Sequence, residues 1–233
     1  VLKVELHAHT SDDPVDNIPH STYQLIDRAF RLQYRAVAIT LHDRQLDIHP
    51  YVSYAAYRSI TLIPGIERTI EDRHILLLNF SRATEEVHSF EDLAELKARE
   101  PRGLVVAPHP FFPIASSLRE EMDRYAALID AVEYNAMFTT LLDFNRHAEQ
   151  WARAHGKPLV GNGDVHRLRQ LGSTFSVVHA DPDANAICEA IKQGRVAVHA
   201  EPLSAGVAAS IMWQLVTADF KKGRQRQTLA GHS

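Results

Sequence analysis

The sequence has one cysteine, Cys188, in 233 residues, so no internal disulfide can form and a reducing, cytoplasmic setting is expected. It has no apolar run near the roughly 20 residues that cross a bilayer. The longest runs, such as Ile75-Leu76-Leu77-Leu78, are strand-sized, and no membrane partner is expected. Nor is there an excess of positive charge. The 25 Lys and Arg face 29 Asp and Glu, which argues against the broad basic surface that a stable duplex nucleic-acid partner needs. Glycine and proline, at 10 and 11, are too few for a collagen-like or low-complexity chain. With 45% hydrophobic residues the chain can bury one sizeable core. It opens in a strand-like Leu2-Lys3-Val4-Glu5-Leu6, with no signal-peptide pattern.

What is abundant is histidine, at fourteen residues. A neutral imidazole is both a common metal ligand and the side chain that titrates nearest neutral pH, so the placement of these residues decides their meaning.

Short aliphatic or β-branched runs alternate with segments of helical period, the pattern of an α/β fold. Strands are predicted near 2–6, 36–40, 60–66, 73–80, 103–107, 131–135, 158–162, 174–180 and 196–200. Helices are predicted near 21–33, 89–99, 117–129, 139–155 and 183–193. Ser21 with Gln24 and Ser89 with Asp92 form capping-box starts, and Gly156 and Gly194 fit helix ends. The pattern makes 1–205 one domain. Residues 206–233 read as a last helix with Ile211, Met212, Leu215 and Val216, then a polar tail carrying Lys221, Lys222, Arg224 and Arg226.

Against this frame, His7 and His9 follow the first strand, His42 the second, Glu67 the third, His109 the fifth, and Asp164 and His166 the seventh. In a parallel α/β barrel the C-terminal strand ends form the rim where side chains converge on an active site. The His7-x-His9 and Asp164-x-His166 pairs each put two donors on one side of an extended chain, and the total exceeds what one four-coordinate ion uses. More than one metal ion is implied. Asp12, Asp13 and Asp16 lie in the first loop, where one of them could complete a shell. Arg44, Arg68, Arg73 and Arg167 flank these segments as candidate phosphate cations, with Arg68 and Arg167 first. The remaining histidines read as packing or surface residues, His20 and His49 being the better placed.

Six ordered segments, His7-Ala8-His9-Thr10-Ser11-Asp12, Ile39-Thr40-Leu41-His42-Asp43, Pro64-Gly65-Ile66-Glu67, His74-Ile75-Leu76, Ala107-Pro108-His109-Pro110 and Gly163-Asp164-Val165-His166, resemble the motifs of the PHP (polymerase and histidinol phosphatase) family. The resemblance implies a distorted seven-stranded, TIM-like (β/α) barrel. It would hold two or three divalent ions at the C-terminal strand ends and hydrolyse phosphoesters through a hydroxide bridging them. It places His7, His9, His42, Glu67, His74, His109, Asp164 and His166 on ligand positions and raises His74, which opens a strand, to the same standing. Three departures stand out. The first-motif aspartate falls early, making Asp12 the nearest match; Leu41 replaces an acid before His42; and Gly163 stands where serine is usual.

The function expected is therefore a metal-dependent phosphoesterase acting on a small phosphorylated metabolite, a nucleotide or a short oligonucleotide. Its ions would be zinc, manganese or iron. Asp164, His166, Arg167 and Arg68 are expected to act at the reacting phosphate, and His20 or Asp43 is a candidate proton donor to the leaving group. The alternatives are an amidohydrolase-like hydrolase of C–N or C–O bonds and a non-catalytic metal-binding module.

Overall fold

The structure, a computed structural model, describes residues 1–204 together with 206, 207 and 210. The expected last helix around Ile211 to Val216 and the basic cluster of the tail lie outside the described residues. Among the described residues no helix is long and apolar enough to cross a membrane.

Nine strands form one sheet: β1 (Leu2–Glu5), β2 (Ala36–His42), β3 (Thr61–Ile70), β4 (Arg73–Leu78), β5 (Leu104–Ala107), β6 (Ala131–Asn135), β7 (Leu159–Asn162), β8 (Thr174–Val178) and β9 (Val196–Ala200), in the order β7-β6-β5-β4-β3-β2-β1-β8-β9. The helices bounded by described residues include α1 (Thr22–Arg31), α2 (His49–Tyr57), α3 (Phe90–Arg99), α4 (Glu121–Arg124), α5 (Asn145–Ala154) and α6 (Ala184–Lys192). The sheet thus differs from a seven-stranded, all-parallel one. β1 to β3 run parallel, as do β5 to β7, but β4 is antiparallel to both its neighbours and β8 and β9 add an antiparallel flap beside β1.

The reversal at β4 is local chemistry. Ile70 pairs with Arg73 across a two-residue turn, and Glu71 and Asp72 both hold positive φ, 48° and 64°. That is the tight hairpin geometry whose twist matches the flanking strands.

The sheet curls until it nearly closes. Just beyond β1 and β7, the backbone of His9 donates to Val165 and that of Val165 donates to His7, both at 3.1 Å. Lower down β8 fills the seam, where the Ser176 hydroxyl donates to the Gly161 carbonyl at 3.1 Å. The interior holds Leu6, Ala38, Ile63, Leu76, Leu78, Val106 and Val160, packed with Ile187, Cys188, Ala190 and Ile191 of α6. Leu2, Ala36, Leu104 and Ala131, which begin parallel strands, and Leu78, which ends the reversed one, belong to the same cluster, so α6 covers the end opposite the rim. Each buried Leu or Ile contributes about 1.5–3 kcal/mol. The outer face packs Leu93 and Leu96 of α3 and Ala148, Trp151 and Ala152 of α5.

Both capping boxes form as read. Two helices differ in extent from the expectation, and one was not expected. The helix expected over 117–129 is one turn, because the Ser117 hydroxyl donates to the His109 carbonyl and Arg119 takes φ 48°. α5 starts at Asn145, whose side chain exchanges hydrogen bonds with the backbone of Asn135. α2 is the unexpected helix; its Pro50 sits in the first helical turn, where proline is tolerated.

A Cβ at Gly161 would lie 2.7 Å from the Phe175 carbonyl oxygen, a backbone atom across the seam. Gly161→Ala should therefore lower stability by about 1–3 kcal/mol in chemical denaturation. An unchanged midpoint would show that the seam is looser than described.

Candidate metal centre

The curled sheet brings the rim residues to one place. Past β1, alternation sends His7 and His9 inward while Ala8 bridges to Val165. His42 and Glu67 lie within their strands rather than after them, and they are direct cross-strand partners of β2 and β3. His74 opens β4, yet because β4 runs backwards its start lies at the same rim as the ends of the others, opposite Thr69. His109 follows β5, and Asp164 and His166 follow β7. His109 and Asp164 hold φ of 31° and 46°, sparsely populated for non-glycine residues, where strain often accompanies a functional position.

Glu67 is the centre of the arrangement. Its Oε2 lies 3.3, 3.3 and 3.2 Å from Nε2 of His7, His9 and His42. Its Oε1 lies 2.8 Å from His74 Nδ1 and 3.3 Å from His109 Nε2. Asp164 Oδ1 is 3.4 Å from His7 Nε2 and 3.3 Å from His166 Nδ1. The far ring nitrogens are anchored. Glu133 Oε1 accepts from His7 Nδ1 at 2.9 Å, and Asp13 Oδ2 accepts from Nδ1 of His9 and His42 at 2.9 and 3.0 Å. Carboxylates behind imidazoles fix the tautomer with the Nε2 lone pair facing the centre, as metal-ligating histidines require.

The donor set fits metal. Nε2 of His7 and His9 and Nδ1 of His74 are buried without a hydrogen-bond partner, a condition that a buried nitrogen rarely tolerates. Three groups have donor atoms all within 4.8 Å of one another: His7, His9 and Asp164; His42, Glu67 and His74; and His9, His42 and His166.

Charge reinforces this. Burial pushes the Glu67 carboxyl up, but the imidazoles of His74, His7 and His42 outweigh it and hold Glu67 well below the usual carboxylate range. Asp164 is held low in the same way, burial being overcome by His7 and His166. Burial lowers the His166 imidazole, yet Asp16 and Asp164 carry it up to about 10. These carboxylates are ionised at neutral pH and demand nearby positive charge.

The other expected residues divide. Asp12 does not join the cluster: its carboxylate accepts from the Thr10 and Thr22 hydroxyls at 3.1 Å, and its carbonyl from Arg44. The shortened loop instead turns Asp13 onto His9 and His42, and Asp16 onto His166 at 3.1 Å. Arg68 is not at the centre either. Its guanidinium is spent on the Val87 carbonyl, Asp43 and His88, and the same bonds occupy Asp43. Arg167 lies by the first loop, donating to the carbonyls of His166 and Asn17, and Arg73 reaches the Ala115 carbonyl.

Two sequence departures find a cause. Leu41 points into the outer core, so an acid there would not face the centre. A Cβ at Gly163 would lie 2.7 Å from Val165 and 3.1 Å from Glu5 Oε2, and the Gly163 amide donates to both Glu5 oxygens.

Glu5, Glu133, Asn135 and Asn162 were missed by reading motifs. They form a buried polar floor: Glu133 accepts from His7, from the His109 amide and from both asparagines. Their signal was alternation, since Glu133 and Asn135 stand two apart on a strand otherwise apolar on that side.

No curated protein matches the sequence. The sequence family described as PHP-associated matches residues 143–196, the stretch from α5 into β9 that contains Asp164 and His166. A two-domain protein of Bacteroides vulgatus containing a predicted PHP-like metal-dependent phosphoesterase superposes with TM-score 0.66 at 19% identity, over 86% of this chain and 65% of its own. The chain carries a PHP-type fold. An amidohydrolase of Chromobacterium violaceum matches this PHP-type barrel with TM-score 0.56 at 16% identity, over 70% of this chain and 87% of its own. A lesion-specific endonuclease of Pyrococcus furiosus matches with TM-score 0.55 at 17% identity, over 91% and 66%. The chain thus spans about two thirds of the length of the Bacteroides protein.

His20 is buried with both ring nitrogens unpartnered, and burial, aided by Arg167 and His166, lowers its imidazole to about 4. In the metal-free protein its ring resonances should titrate near pH 4, not near the ordinary value of about 6.5. Between these values the unfolded chain binds the extra proton, so His20 makes stability fall as pH drops through this window. A titration near 6.5 by NMR would contradict the buried, neutral ring.

Proposed function

We propose that the PHP-type centre is a metal-dependent phosphoesterase with at least two divalent ions. The observation that carries the reading is Glu67, ionised and buried among five imidazoles, three of which, His7, His9 and His74, turn a nitrogen without a hydrogen-bond partner toward it. The groups His7, His9, Asp164 and His42, Glu67, His74 share no residue, so they can hold two ions at once. Glu67 reaches donors of both and would serve both ions, with His109 and His166 as further ligands. Zinc, manganese and iron all suit this mixture of imidazole and carboxylate.

Bound ions would supply a lowered water pKa and neutralisation of phosphate oxygens. The chain's own groups do the rest. Asp13 and Glu133 keep His9, His42 and His7 in the ligating tautomer. Arg167 and Arg44, on the first-loop side, offer cations to phosphate oxygens that extend from the centre. Arg68 takes no part, being committed to Asp43 and His88.

The Chromobacterium neighbour supports a second reading, hydrolysis of C–N or C–O bonds, because the barrel alone does not choose the bond cleaved. The rim arginines favour phosphate. A small or nucleotide substrate is proposed over a polymer because the net charge is −4, although the endonuclease neighbour keeps short oligonucleotides on the panel.

The test is phosphate release from phosphomonoesters, nucleotides and short oligonucleotides with added manganese or zinc. His9→Ala and Asp164→Ala should lose both metal and activity, the activity by more than about 100-fold, while the exposed His49→Ala changes neither. Metal without phosphate release, together with amide or lactone cleavage, would favour the second reading.

Glu133→Ala frees His7 Nδ1 and should weaken divalent-ion affinity by about 10–100-fold in calorimetry. Unchanged affinity would remove Glu133 from its positioning role.

A further inference from the structure

The two donor groups that share no residue are held by different frames. The group of His7, His9 and Asp164 hangs on the seam, where Glu5 accepts from the backbone amides of His7 and Gly163 at 3.0 Å and Glu133 accepts from His7 Nδ1 at 2.9 Å. The group of His42, Glu67 and His74 hangs on three adjacent strands, β2, β3 and β4, and its geometry depends on their register. β2 ends at His42 and β4 begins at Arg73, so two of these three ligands stand at or beside a strand terminus, where a ladder holds the chain least.

One residue ties all three. Asp43 follows His42 and turns with φ 51°, in the left-handed region that aspartate, asparagine and glycine tolerate. The turn sends its amide to the Glu67 carbonyl at 2.9 Å and its carboxylate to Thr69, where Oδ1 accepts from the amide at 2.7 Å and Oδ2 from the hydroxyl at 2.9 Å. Thr69 is the direct cross-strand partner of His74. Asp43 therefore reaches His42 through the chain, Glu67 through its carbonyl and His74 through Thr69. The carboxylate is itself anchored. Arg68 Nη1 donates to Oδ1 at 2.9 Å, while Nε and Nη2 of the same guanidinium donate to the Val87 carbonyl and His88 Nδ1, at 2.7 and 2.8 Å, in the segment that leads into α3. These bonds involve none of His7, His9 and Asp164.

Resting on the two-ion reading, we propose that Asp43 is a positioning residue for one ion site only. It sets the register of His42, Glu67 and His74, so that this site can empty while the site of His7, His9 and Asp164 stays filled. Asp43 acts through the backbone of its neighbours and not as a ligand.

The experiment counts manganese in the reconstituted full chain by elemental analysis and titrates the metal-free chain with manganese by calorimetry, with the fold checked by circular dichroism. Wild type should take up two or more ions. Asp43→Gly, which keeps the left-handed turn and removes the carboxylate, should weaken one binding event by about 10–100-fold and leave another within about twofold. Asp43→Asn returns an oxygen to the Thr69 amide and offers its NH2 to the Thr69 hydroxyl, so it should recover most of the loss. Adding His74→Ala to Asp43→Gly should cost no further ion, because both act on one site, whereas adding His9→Ala should empty the other. Gln33→Gly, at an exposed left-handed position with φ 61°, should change neither count nor affinity. Equal weakening of every binding event, no weakening in Asp43→Gly, or an asparagine variant as poor as the glycine one overturns the positioning role. Metal uptake without phosphate release sinks the phosphoesterase reading and leaves the ion counts to judge Asp43; a wild type with fewer than two ions sinks both.

Discussion

A carboxylate that must stay ionised inside a protein sets the terms for everything around it. Glu67 is buried at the meeting point of β2, β3 and β4, and an unpaired charge there would cost several kcal/mol. Five imidazoles surround it, and the outer nitrogens of four are in turn held, those of His9 and His42 by Asp13, that of His7 by Glu133 and that of His109 by Ser117. The result is two layers of alternating charge with lone pairs turned toward a shared centre. Such a network is favourable only when complete, and the orphaned nitrogens of His7, His9 and His74 mark what completes it.

The distortion of the barrel follows from the same requirement. A parallel strand in the place of β4 would put its first residue at the far end, away from Glu67. The tight turn at Glu71 and Asp72 reverses the strand and brings His74 to within 2.8 Å of Glu67 Oε1. The bridge between Ala8 and Val165 then closes the rim where His7, His9, Asp164 and His166 stand, so closure of the sheet and assembly of the centre are one event. Gly163 and Gly161 lie on that seam because the floor carboxylate Glu5 and the Phe175 backbone leave no room for a side chain.

Much of this was legible in the sequence. All nine strands were readable from aliphatic runs, and the histidine pairs stood out because alternation gives i and i+2 one direction. Helix starts were legible where Ser21 and Ser89 supplied both halves of a capping box. Direction was not: nothing in Arg73 to Leu78 says which way a strand runs, so His74 looked misplaced until β4 was seen reversed. The loop aspartates were unreadable for a related reason, since a shift of one residue from Asp12 to Asp13 depends on Thr10 and Thr22 competing for the first carboxylate. Arg68 misled because its neighbour Glu67 faces the centre, and alternation alone should have sent Arg68 to the other side. The floor residues Glu133 and Asn135 escaped because they carry no motif, only an inward polar pattern.

On the proposed reading, Glu67 serves divalent ions rather than the stability of an apolar barrel. Elemental analysis of the reconstituted full chain, wild type beside Glu67→Gln, tests it directly. The account predicts two or more divalent ions per chain in the wild type, and loss of at least one in the variant with the fold retained by circular dichroism. A wild type that retains no metal, or a variant with the same content, would contradict it.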